Sequence, residues 1–167
     1  MSPLVTWGLT GLQALLGMWI LALGFRESVP GENLSRGSIG IAVALTVLLL
    51  VGVTVTTNRS SPTVIPAGLE FQFWIECVYG PMVLGVPFML VATLLAARAF
   101  PTRPAVTGAL CGLSAGIVSD AGWRLGCFVS SPGHVLTSHD VAIVLLAASG
   151  SLLAVVLDSG RWWHFRR

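Results

Sequence analysis

The chain is 167 residues long, 54% hydrophobic and only 10% charged, with a mean hydropathy of +0.86 and a net charge of +2 that comes entirely from arginine. Soluble domains carry about 25% charged residues, so this composition excludes an ordinary water-soluble enzyme, and its small charge gives no footprint for direct nucleic-acid binding. The three scattered cysteines, Cys77, Cys111 and Cys127, contain no CxxC and exclude a disulfide scaffold, a zinc knuckle and a thioredoxin-like motif.

About 20 mostly apolar residues are needed to cross a hydrocarbon core of roughly 30 Å. The first such stretch runs from Leu4 to Phe25. No basic residue precedes it and no A-x-A cleavage site follows, so it reads as a retained helix rather than a secretory signal. The loop "RESVPGENLSRG" leads to a second helix, Ser38 to Thr57, and "NRSSPTVIPAGLEFQ" to a third, Phe73 to Ala96. The third carries Gly80, Pro81, Gly85 and Pro87, a pattern that predicts a kink. Beyond "ARAFPTRP" the fourth helix spans Ala105 to Cys127, and after "VSSPG" the fifth spans about Val135 to Leu157. The expected fold class is all-α, a polytopic transmembrane bundle of five helices forming one integral membrane domain.

The arginines set an orientation. Arg26 and Arg36 lie in the first loop, Arg98 and Arg103 in the third, and Arg161, Arg166 and Arg167 in the tail, all on one side of a five-span chain. The other side holds Arg59, with Arg124 at the end of the fourth helix. By the positive-inside rule the C-terminus is cytoplasmic and the N-terminus periplasmic. The tail "GRWWHFRR" fits an interfacial anchor, with Trp162, Trp163 and Phe165 at headgroup depth.

This topology explains the stretch "DAGWRLGCFVSSPGHVLTSHD", which concentrates Asp120, Arg124, Cys127, His134, His139 and Asp140 in an otherwise apolar chain. At 1.5 Å per residue, Asp120 lies about two thirds of the way across the bilayer, and Cys127 lies near its outer surface. Glu76 and Cys77, at the start of the third helix, reach the same level. In the fourth helix Gly108, Gly112 and Gly116 form a small-xxx-small stripe for close helix packing. Asp120 and Arg124 continue that register and are spaced to pair across one turn.

Cys111, deeper in the fourth helix, reads as a small buried apolar residue. Cys77 and Cys127 share the outer level, which leaves three readings open: inert thiols, a redox pair, or a soft-metal site completed by His134 or His139. Catalysis finds no motif. H-E-x-x-H and G-x-S-x-G are absent, and Ser130 and Ser131 beside His134 carry no acylation signature. The chain is expected not to be an enzyme.

The segments "FRESVPG", "FWIECVYGPMVLGVPF", "AFPTRPAVTGALCGLSAGIVSDAGWRLGC", "CFVSSPGHVLTSHD" and "ASGSLLAVVLDSGRW" occur in an order that resembles the NrsF-type, multi-pass membrane anti-sigma factors. The resemblance covers nearly the whole chain. It implies a bacterial inner-membrane protein that holds an extracytoplasmic-function sigma factor inactive and releases it under stress. Two membrane cysteines of that family are associated with oxidant or heavy-metal sensing, and they match Cys77 and Cys127 here. His139 matches the histidine of the family's "VLVWH", with Ser138 in place of the tryptophan. The family usually has six helices and an N-terminal cytoplasmic segment, so the first helix is expected to be missing. In the expected function, Cys77 and Cys127 form the signal receptor, with a soft metal ion as the only cofactor considered. The alternative is an accessory subunit whose partners are other membrane subunits.

Overall fold

The computed structural model describes residues 3–60, 68–127, 129 and 131–164. Among them are five helices long and apolar enough to cross a membrane. They are α1 (Pro3–Ser28), α2 (Arg36–Ser60), α3 (Glu70–Ala97), α4 (Pro104–Trp123) and α5 (Asp140–His164). A single turn (Pro132–His134) and a π-helical turn (Val135–His139) lead without a break into α5. The interfacial role expected of Trp162, Trp163 and Phe165 falls outside the described side chains, as does that of Arg161, Arg166 and Arg167.

Several boundaries differ from the expected ones, among them the ends at Ser28 and Ser60 and the start at Glu70, and two of the differences lie beside the polar stretch. Helix α4 ends at Trp123 and does not reach Cys127. Its last turn tightens, with the Leu125 and Gly126 N–H groups donating three residues back to Gly122 and Trp123 rather than four. The tightening takes Cys127 off the helix and turns it toward α3. The fifth span starts earlier than Val135, at Pro132, because proline at a first helical position loses no needed hydrogen bond. Helix α3 continues through both Pro81 and Pro87.

In lipid, apolar surface alone does not sort inside from outside, so side-chain size does. Helix α4 is richest in small residues and becomes the axis of the bundle: 67% of its span is buried, against 22% for α2. Its buried positions include Gly108, Cys111, Gly112, Ser114, Ala115, Gly116 and Ser119. Large residues such as Leu48 on α2 and Leu152 on α5 point outward.

Helices α1, α3 and α5 all run antiparallel to α4. On α1, Gly17 meets Val118 while Gly24 meets Cys111. On α5, Ile143 meets Gly116, Leu146 meets Gly112, and Gly150 meets Gly108. The contact with α5 is so close that a Cβ at Gly108 would lie 2.1 Å from the Gly150 carbonyl oxygen. Backbones approach here because neither helix carries a side chain between them. Helix α2 stands apart, with sparse contacts to α1 and to the Pro132–His134 turn.

Candidate functional site

Helix α3 and the end of α4 bring the two outer cysteines together. Cys77, one turn before Gly80 on α3, is buried, and Cys127 is half-buried just past α4. Their sulfurs lie 3.3 Å apart. Trp123 makes this approach possible by laying its indole ring on Gly80, where a Cβ would come within 2.2 Å of the ring. A cavity of about 140 Å³ covers the pair, lined by Phe73, Glu76, Trp123, Gly126 and Val129 as well as the cysteines.

The π-helical turn supplies the histidines. In an α-helix at 3.6 residues per turn, positions i and i+5 point about 140° apart. A π-turn closes its hydrogen bonds from i to i+5 and brings such positions back into line. His134 and His139 are spaced in this way, are both buried, and meet edge to face with ring centroids 5.7 Å apart. Trp74 of α3 holds the turn in place by donating its indole N–H to the Thr137 carbonyl at 2.8 Å.

Behind the histidines Asp120 forms a fully buried hub. Its Oδ1 lies 2.6 Å from His139 Nδ1. Its Oδ2 accepts from Arg124 Nε at 2.6 Å and from Gln13 Nε2 at 2.5 Å. Arg124 Nη2 approaches Asp140 at 3.9 Å. A carboxylate at this depth costs several kcal/mol unless it is paired, and here every oxygen has a partner. The one acid therefore joins α1, α4 and the π-turn.

His134, His139, Cys77 and Cys127 each offer a ligand atom, and these four atoms lie within 4.8 Å of one another. Glu76 is exposed and bonds to Gln72 at 3.0 Å, so it borders the cavity without entering the Asp120 network. Cys111 is fully buried among Leu21, Ala92 and Ala96, far from the pair. Gly108, Gly112 and Gly116 form the seam with α5. Of the two serines that carry no acylation signature, Ser130 lies outside the described residues.

Sequence reading missed two features. Gln13 gave a usable signal, a lone amide in the middle of an apolar helix. The second is a polar junction at the opposite end of α4, where Arg103 grips the fully buried Glu27 with two hydrogen bonds of 2.6 and 2.7 Å. Arg103 also donates to the Leu34 carbonyl, and the Leu34 N–H donates to Glu27 at 2.7 Å. Thr102 adds a bond to Asn33 at 2.7 Å. In the sequence Arg103 speaks only to orientation, and Glu27 gives no signal because its ionic partner stands 76 positions away.

The chemistry of the pair is asymmetric. The contact with Cys77, in which either sulfur can donate, lowers the Cys127 thiol below its ordinary range, with His139 assisting and burial opposing. A thiol shifted in this direction is readier to form the thiolate, the form that attacks oxidants and binds metals.

Residues 1–162 match the family described as NrsF, Negative regulator of sigma F. Comparison with curated proteins and with solved structures gave no match. By a match that covers all but the last few residues, the chain belongs to the NrsF family of negative regulators of sigma F.

Proposed function

We propose that this protein holds an extracytoplasmic-function sigma factor inactive at the bacterial inner membrane and that Cys77 and Cys127 receive the signal that releases it. It acts as a regulator without catalytic turnover, with its C-terminus cytoplasmic and its N-terminus periplasmic. Family membership supports the sigma-factor partner, and the arginine bias supports the orientation. The observation that carries the receptor is the 3.3 Å separation of two sulfurs that stand 50 positions apart in the chain.

Oxidation follows ordinary thiol chemistry. The Cys127 thiolate attacks a peroxide, cleaving the O–O bond, and becomes a sulfenic acid while the other oxygen leaves as an alcohol or water. The Cys77 sulfur then displaces the sulfenic oxygen as water, closing the disulfide. Two thiols lose two electrons and two protons to the peroxide. The sulfurs must close by about 1.2 Å, which draws α3 toward the end of α4. Helix α4 carries that displacement to the loop containing Arg103. The two states differ in how the cytoplasmic loops are held, and a difference of that kind is what release of a partner requires.

Co-purification from unstressed membranes is expected to recover a sigma factor, and peroxide is expected to abolish the recovery. The variant Cys77→Ser/Cys127→Ser is expected to retain the sigma factor after peroxide. Recovery of integral membrane subunits alone would favour an accessory role. An undiminished peroxide response in the double variant would eliminate the receptor.

A further inference from the structure

Helices α1 and α2 leave a groove of about 620 Å³ between them. Its walls include Leu12 and Trp19 on α1 and Leu45 and Leu48 on α2, all of them exposed. Gly52 lines it too, and a Cβ there would meet nothing within 4 Å. Membrane helices seat against one another through small residues, as α4 and α5 do. Leucines hold α1 and α2 apart instead. The gap suits a flexible hydrocarbon chain better than another helix, a stiff cylinder about 10–12 Å across.

The groove has the length of one leaflet. It runs from Leu9 to Trp19 on α1 and from Leu45 to Thr56 on α2, about 15–17 Å of each helix at 1.5 Å per residue. Half of a hydrocarbon core roughly 30 Å thick is the same distance.

Charge complements the shape. Arg59 stands one turn beyond Thr56, on the same face of α2 and in its last turn. It is exposed, and the carboxylates described at that end of the bundle are engaged elsewhere. Glu70 accepts from the Gly68 N–H at 2.8 Å and Glu76 from Gln72 at 3.0 Å. Asp120 and Asp140 face Arg124. A guanidinium left without a carboxylate at headgroup depth is matched in charge and geometry by a phosphate.

We propose that the α1–α2 groove holds an acyl chain of one anionic phospholipid, in the leaflet at the Arg59 end, with the lipid phosphate on the Arg59 guanidinium. The lipid then fastens α2 to α1 where protein contacts are few. This site shares no residue with the cysteine pair, so its test leaves the receptor reading untouched.

The full chain, purified in mild detergent, is to be titrated with phosphatidylglycerol and, in parallel, with phosphatidylcholine, and its adducts counted by native mass spectrometry. The expected result is one phosphatidylglycerol per chain, favoured over phosphatidylcholine by ~5-fold, the effect of about one arginine at an anionic surface. Arg59→Gln, at an exposed position, is expected to abolish that preference while both lipids still bind. Gly52→Phe fills the groove from a position with room for a side chain. It is expected to lose both adducts and to unfold at the wild-type temperature. Equal retention of the two lipids by the unaltered chain, or an undiminished preference in Arg59→Gln, overturns the proposal. Lipid retained by folded Gly52→Phe overturns it as well. So does a chain that carries no lipid and runs as a dimer, since a second copy would then cover the groove.

Discussion

Asp120 shows how one side chain can organise a lipid-embedded core. It is fully buried, and its two oxygens take Gln13, Arg124 and His139. Asp120→Asn leaves Arg124 without its close counter-ion in a site only 12% exposed, an imbalance that typically costs about 3–5 kcal/mol. Unfolding in mixed detergent is expected to report a loss of that order. The double variant Asp120→Asn/Arg124→Gln is expected to lose less than the single one, because no orphaned charge remains. A double loss equal to the sum of the single losses would show that the two residues act independently.

Among the elements, α4 and α5 meet through glycine rather than through matched side chains. A Cβ at Gly112 would lie 2.1 Å from the Leu146 carbonyl oxygen, and rigid backbone has no room to yield. Gly112→Ala is therefore expected to destabilise the pair by about 1–3 kcal/mol. Gly52→Ala on α2, with nothing within 4 Å, is expected to leave stability unchanged in the same unfolding assay. The stripe at Gly108, Gly112 and Gly116 was legible because its four-residue period survives in the sequence, and so were the five apolar spans. The π-turn was not. Its signature is a five-residue spacing between His134 and His139, which an α-helical reading assigns to different faces. The stop of α4 at Trp123 was hidden for a related reason, since a tightened last turn has the same composition as a helix that continues. Gln13 was visible as an oddity, but its partner stands 107 positions away.

Over the whole molecule, the polar groups gather at the two ends of α4. One end holds the cysteines, the histidines and Asp120. The other holds Arg103, Glu27 and the Leu34 backbone, which together tie the α1–α2 and α3–α4 connections. Glu27→Gln is expected to loosen the second end while leaving the first intact. Co-purification should then recover less sigma factor, whereas peroxide should still oxidise Cys77 and Cys127 at the wild-type rate, read by thiol labelling. Equal sigma recovery in the variant would remove this junction from the path between signal and partner.

The sparse attachment of α2 has its own consequence. With 22% of its span buried, against 67% for α4, it has little packing to fix its tilt. Because α2 begins at Arg36, just past the Leu34 backbone that Arg103 and Glu27 hold, any tilt it adopts pulls directly on that knot. A change in bilayer thickness that altered the tilt of α2 would therefore strain the α1–α2 connection first.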